Sequence, residues 1–167
     1  MEQENTTPKN TNFQQCAHLE VPDIHSELGN IDTLSNLMDL QKSIQEQVYG
    51  YNFEALQNGP LSELKKFIDW NEEAIRDEQR EFANALGGIH THKDSLWKNW
   101  KSKHKEANAK SLKDLSPEEL LELKFEGIDI LHFIFNIFNS IGIDGKELFN
   151  MYHAKNIENK NRQVRGY

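Results

Sequence analysis

Glu126 and Asp129 sit in the middle of "ELKFEGIDILHFIFN", residues 122–136, a stretch made mostly of Leu, Ile and Phe, with His132 and Asn136 following. Their spacing of three puts both carboxylates on one helix face. An anion among apolar side chains is costly unless it is paired, and otherwise it takes up a proton. Either arginines or lysines lie beside the pair, or the pair holds something cationic. A second acidic pair of the same spacing, Glu78 and Glu81 in "EQRE", has the small residues Ala74 and Ala85 in its sector, which leaves room beside the core. Two such helices packed face to face bring four carboxylates together, and without a surplus of buried base these repel one another. Magnesium relieves that repulsion, because it takes oxygen ligands and retains waters and substrate phosphates.

A third component lies near the C-terminus. Leu148, Met151, Lys155, Asn159 and Arg162 follow one helix face, apolar at first and cationic at the end. Such a face docks on the core and delivers Lys155 and Arg162 to its edge, where they suit a phosphate chain. Plainer readings stand beside these. Acidic pairs three apart are common on solvated helix faces, and basic residues near a helix C-terminus complement its dipole. For "EQRE" and for the cationic face, spacing alone leaves both readings open, whereas the apolar setting of Glu126 and Asp129 demands a partner. An acidic metal cage with a cationic arm fits a nucleoside-triphosphate hydrolase. The Gly, Lys and Ser/Thr pattern of a P-loop is missing, which excludes that class.

The elements that must position these groups are helices. From Ile31, the residues Leu34, Leu37, Met38, Leu40, Gln41, Ile44 and Val48 form a stripe at three-four spacing. Gly50 and then Asn58-Gly59-Pro60 interrupt the pattern. A second helical region runs from Leu61 to Leu86, with Ile68, Ile75, Phe82 and Leu86 on one face, and stops at Gly87-Gly88. "SLWKNWKSKHKEANAK" is a basic helical stretch opening with Trp97 and Trp100. Ser116-Pro117-Glu118-Glu119 is a helix start with a capping box, for a long helix ending near Gly142, and Asp144 with Glu147 starts the last helix. Period-two alternation is absent, so no strand is predicted. The expected fold is an all-α helical bundle of four to five helices. Residues 16–167 form its single domain, and the polar residues 1–15 form a flexible lead.

Composition narrows the function. The chain of 167 residues carries 27 Asp and Glu against 19 Lys and Arg, a net charge of −8. That balance argues against direct nucleic-acid binding, which needs a basic surface. Cys16 is the sole cysteine, so no intrachain disulfide forms, which fits a reducing cytoplasm. Asp129, His132 and Asn136 interrupt the longest apolar run, and the N-terminus lacks a signal-peptide pattern, so a soluble protein without a membrane span is expected. Cys16 with His18, and His90 with His92, lack a second pair at zinc-ligand spacing.

The two acidic pairs, followed by "KNIENKNRQVRGY" from Lys155 to Tyr167, resemble the motifs of the all-α dimeric dUTPases, relatives of the MazG-type pyrophosphohydrolases. "QCAHLE", "LWKNWK" and "LSPEELLELKFEGIDILHFIFNIF" give the chain a still closer resemblance to the T-even-phage dCTP pyrophosphatases (dCTPase-dUTPases) of that superfamily, over most of the sequence beyond Gln15. The resemblance implies an all-α NTP pyrophosphatase fold in which Glu78, Glu81, Glu126 and Asp129 hold two or more magnesium ions, with manganese as a substitute. It implies that Lys155, Asn159, Arg162 and Tyr167 bind phosphates and that Gln41 reads the base. It places His132 and Phe133 near the deoxyribose, and the segment carrying Trp97, Asn99 and Trp100 near the base. The linker from Phe82 to Phe125 is longer than in simple MazG proteins.

The implied reaction is hydrolysis of dCTP and dUTP to dCMP or dUMP and pyrophosphate. Glu81, with Glu78 as second candidate, orients or deprotonates the attacking water. Such an enzyme supplies dUMP for thymidylate synthesis and keeps cytosine or uracil nucleotides out of phage DNA. The partners it implies are dCTP and dUTP, a second copy in a homodimer, and other nucleotide-synthesis enzymes in the host cytoplasm. Cytosine and uracil share O2, to which a glutamine amide donates in either case, and an amide that can flip also serves the edge that differs. The alternatives are a MazG-like house-cleaning pyrophosphohydrolase of another nucleotide and a non-catalytic helical protein that binds a regulatory partner. The two acidic pairs and the terminal motif, all intact, argue against the second.

Overall fold

A computed structural model describes residues 32–86 and 111–166, together with the single positions 20, 23, 100, 102 and 109. The expected flexible lead 1–15, the Cys16/His18 and His90/His92 pairs, Trp97, Asn99, Tyr167 and most of the basic stretch lie outside the described residues. Five α-helices occur among the described residues: α1 (Thr33–Gln47), α2 (Phe53–Asn58), α3 (Leu61–Ala85), α4 (Pro117–Ser140) and α5 (Gly145–Val164). A 3₁₀ turn at Leu112–Asp114 precedes α4, and these residues contain no strand. The all-α class is thus as expected from the sequence. Among them, no helix is long and apolar enough to cross a membrane.

Local side chains set the helix ends. Asp32 Oδ1 accepts the Ser35 N–H at 3.1 Å, which starts α1. Asn52 Oδ1 accepts the Ala55 N–H at 2.8 Å and starts α2, a short helix that the Gly50 and Asn58-Gly59-Pro60 signals did not reveal. The capping box of α4 is complete: Glu119 donates its N–H to Ser116 Oγ at 3.1 Å, and Ser116 donates its own to Glu119 Oε2 at 2.7 Å. Asp144 Oδ1 accepts the Glu147 N–H at 2.8 Å at the start of α5. Helix α4 closes where Ile143 N–H bonds the Phe138 carbonyl at 3.0 Å and Gly142 N–H bonds that of Asn139 at 3.2 Å. This paired closure needs a left-handed residue, and Gly142 supplies it at φ +82°.

The chain divides into two compact units, and α3 and α4 each run without interruption from one into the other. Pro22–Gln79 with Ile128–Tyr167 make up the larger unit. Its buried apolar residues are Met38, Phe53, Phe67 and Phe135. The Phe67 ring meets Tyr51 and Phe53 edge to face, at centroid distances of 4.8 and 5.7 Å. Each such pair contributes about 0.5–1.5 kcal/mol beyond its buried area. The starts of α1 and α5 touch closely: a Cβ at Gly145 would lie 2.5 Å from Ser35 Oγ and 2.6 Å from the Ser35 backbone nitrogen, so only glycine fits. Helix α1 buries Met38, Gln41 and Gln45. Its apolar stripe of Leu37, Leu40, Ile44 and Val48 faces outward, 43–68% exposed.

In the smaller unit, Met1–Val21 with Arg80–Gly127, the end of α3 meets the beginning of α4. A Cβ at Gly127 would stand 3.6 Å from the Phe82 ring, and Leu123 and Glu126 are buried.

Candidate active site

Helix α3 carries Glu78 and Glu81 on successive turns, and α4 carries Glu126. One carboxylate oxygen from each of the three lies within 4.8 Å of the others. Glu81 and Glu126 belong to the smaller unit, and Glu78 precedes Glu81 by one turn of the same helix. Beside the carboxylates the two helices pack with the Phe82 ring over Gly127, where a Cβ would meet it in ordinary contact. Glu126 is 7% exposed, while Glu78 and Glu81 are half-buried.

Three acceptor oxygens so close together, one of them buried, form a hard donor set. Magnesium holds its ligands at about 2.1 Å, so ligand oxygens lie no more than about 4.2 Å apart. The observed spread needs only small side-chain adjustments to reach that geometry, and the residues fit such an ion. Of the four carboxylates expected at this site, the cluster unites three. Asp129, one turn beyond Glu126, is half-buried and has its Oδ1 3.5 Å from Nδ1 of His132.

On α5, Lys155 and Asn159 are exposed and Arg162 is half-buried. Arg162 Nε donates to Glu158 Oε1 at 3.2 Å, and Arg165 Nη2 donates to the same oxygen at 2.6 Å. Glu158, which the sequence reading did not single out, therefore orients Arg162 and draws a second guanidinium to the arm. The signal for it was its i, i+4 spacing from Arg162.

Gln41 is buried, 8% exposed, and begins a chain of amides. Its Nε2 donates to Asn136 Oδ1 at 2.8 Å, Asn136 Nδ2 donates to Asn71 Oδ1 at 2.9 Å, and Asn71 Nδ2 donates to the Phe67 carbonyl at 2.7 Å. Asn71 and Asn136 are fully buried. Asn71 escaped the sequence reading, although an asparagine four residues after Phe67 on an apolar helix face was the available signal.

Phe133 meets Trp70 edge to face at 5.9 Å, and Trp70 remains 54% exposed. Trp70 was likewise not anticipated as a neighbour of the expected sugar-side residues. His132 is exposed, and so is Trp100, while Trp97, Asn99 and Tyr167 fall outside the described residues.

No family model matches the chain, and no solved structure matches it. Three curated phage proteins do. The dCTP pyrophosphatase of Enterobacteria phage LZ5 is 35% identical over 169 residues, covering 93% of this chain and 98% of that protein. The dCTP pyrophosphatase of Enterobacteria phage T4 is 33% identical over 168 residues, with the same coverage of both. A DNA replication protein of phage T4 is 32% identical over 157 residues, 86% of this chain but 40% of that protein. Identity at this level along almost the full length of two relatives establishes that the chain belongs to the dCTP pyrophosphatase family of T4-type phages.

Proposed function

We propose that this chain hydrolyses dCTP and dUTP to the monophosphate and pyrophosphate in a magnesium-dependent reaction. The observation that carries the reading is the cluster of Glu78, Glu81 and Glu126, in a chain whose curated relatives are named dCTP pyrophosphatases. These three carboxylates hold the ions, and Asp129 joins them from the next turn of α4. When bound, magnesium neutralises negative charge developing on the phosphate oxygens. Glu81 accepts the proton of the attacking water, and Glu78 is the alternative base. Lys155 and Asn159 contact the phosphates, and Arg162, oriented by Glu158, holds the departing pyrophosphate through its guanidinium. Gln41 contacts the pyrimidine, and Phe133 with Trp70 forms the apolar wall beside the deoxyribose.

The working form is a homodimer. The outward stripe of Leu37, Leu40, Ile44 and Val48 on α1 supports this, because an apolar helix face of that length is costly in water. In an infected cell the reaction supplies dUMP and depletes cytosine and uracil triphosphates.

A pyrophosphate-release assay over all canonical ribo- and deoxynucleoside triphosphates, with and without magnesium, tests the proposal. Release from dCTP and dUTP that stops on chelation is the expected result. Release from purine nucleotides alone, or equal release in excess EDTA, would overturn it. Light scattering checks the dimer, and a monomer at micromolar concentration refutes it.

A further inference from the structure

We infer that Asn71 and Asn136 are positioning residues that lock the amide of Gln41 in one orientation, and so bias the site toward cytosine. The inference rests on the reading above in which Gln41 touches the base. Its force comes from the far end of the relay. The Phe67 carbonyl can only accept, so Asn71 must face it with Nδ2. Asn71 then offers Oδ1 to Asn136, which must donate with Nδ2. Asn136 is left with Oδ1, so Gln41 must donate with Nε2. One backbone carbonyl thus fixes the polarity of three amides through hydrogen bonds of 2.7–2.9 Å, with Asn71 and Asn136 fully buried. Reversing Gln41 would set two oxygens or two nitrogens against each other somewhere along the chain.

The flip that would let one glutamine serve both pyrimidines is therefore blocked. Among the described residues, the Gln41 side chain spends one N–H of Nε2 on Asn136, so its second N–H and Oε1 are left over, each held in one fixed place. Cytosine and uracil present inverted edges: cytosine has a 4-amino donor beside an N3 acceptor, and uracil a 4-carbonyl acceptor beside an N3–H donor. An amide oxygen held toward position 4 accepts from the amino group and repels the carbonyl. The residues that decide between the two bases would then include one, Asn71, that is separated from Gln41 by a whole intervening side chain.

The test uses the full chain and the variants Asn71→Leu, Asn71→Asp and Gln41→Ala, with kcat/KM measured for dCTP and dUTP. A mismatched neutral hydrogen bond is worth about a factor of ten. The parent should favour dCTP, and Asn71→Leu, which frees Asn136 and then Gln41 to turn, should bring the ratio about tenfold closer to one. Asn71→Asp should keep the parental ratio. Its carbonyl oxygen still accepts from Asn136, and in the protonated form its hydroxyl still donates to Phe67. A structural role alone would lower both constants together and leave the ratio unmoved.

Side-chain amide hydrogen exchange by NMR supplies a readout independent of turnover. The Gln41 carboxamide should exchange slowly in the parent and faster in Asn71→Leu. Gln41→Ala separates the two ideas. Unaltered constants for both nucleotides in that variant would remove Gln41 from the base site, and the inference with it. A changed ratio in Gln41→Ala together with an unchanged ratio in Asn71→Leu would keep the base contact and overturn the lock. A parental ratio of one, or Gln41 exchange as fast as in an exposed glutamine, would overturn it too.

Discussion

Helices α3 and α4 each carry two kinds of polar residue shielded from water, and the two kinds solve burial in opposite ways. Asn71 on α3 and Asn136 on α4 join Gln41 in a relay whose every link is a hydrogen bond ending on a backbone carbonyl. Glu78 and Glu81 on α3 and Glu126 on α4 gather oxygens within 4.8 Å. An amide both donates and accepts, so amides can complete one another. Ionised carboxylates only accept, so three of them cannot. The relay is finished without any ligand, whereas the carboxylates cannot satisfy one another. A buried polar residue on a helix is therefore a weak pointer to function when it is neutral and a stronger one when it is an anion with like neighbours.

The largest effect should come from breaking the anionic side. Glu126→Gln keeps the shape of the side chain and removes a charge. We expect turnover to fall by at least about a hundredfold, as when a preorganised charge-stabilising group is lost. In EDTA the variant should melt no lower than the parent, since one crowded anion has gone. Pyrophosphate release and thermal melts on the same preparation check both halves. Turnover near the parental value would exclude Glu126 from the site, and a melting temperature several degrees lower would refute repulsion in the metal-free cluster.

Breaking the neutral side should show the reverse pattern in stability. Asn136→Leu leaves Gln41 Nε2 and Asn71 Oδ1 without their partners in a fully buried position. Each stranded group costs about 1–3 kcal/mol, so a loss of about 2–6 kcal/mol is expected in urea denaturation. A loss below about 1 kcal/mol would mean that water or a rotamer change repairs the relay at little cost.

These two regions were not equally legible in the sequence. Glu126 and Asp129 stood out because charge inside an apolar run is anomalous, whereas spacing alone left Glu78 and Glu81 open to reading as a solvated helix face. The helix starts were legible for a similar reason: Ser116 with Glu119, and Asp144 before α5, are local signals that need no tertiary knowledge. The relay was not, because its links span 95 and 65 residues and no local pattern specifies which amide meets which. Helix α1 shows the same limit. Its three-four stripe correctly marks a helix, yet tertiary packing buries Met38, Gln41 and Gln45 and leaves Leu37, Leu40, Ile44 and Val48 outside. Short α2 went unread because six residues are too few for periodicity to emerge.

A gentler sharpening adds magnesium instead of removing a carboxylate. An ion that binds the folded cluster stabilises it by about 1.4 kcal/mol at ten times its dissociation constant. The melting temperature of the parent should rise with magnesium, while that of Glu126→Gln should move much less and that of Asn136→Leu should rise as the parent does. Equal shifts in the parent and Glu126→Gln would place magnesium binding elsewhere.

The smallest effect concerns a carboxylate of a third kind, exposed and already supplied with donors. Asp32 accepts the Ser35 N–H at 3.1 Å and the Ser35 hydroxyl at 2.8 Å at the start of α1. The backbone N–H of Ser35, then its hydroxyl, hold the carboxyl below its ordinary value of 3.8. The sign follows from linkage: the folded state prefers the ionised form, so this contribution is present above the unfolded value and is lost as pH falls through the folded one. Asn at the same position still caps the helix but does not titrate. The stability difference between the parent and Asp32→Asn should therefore stay flat from neutral pH down to about 5, then shift against the parent as pH falls below 3.8. Urea midpoints of both proteins across pH 2.5–7 measure it (about one point per half unit suffices). A difference that changes between pH 5 and 7 would trace to some other group. A flat difference down to pH 2.5 would mean that the cap works through the neutral oxygen alone.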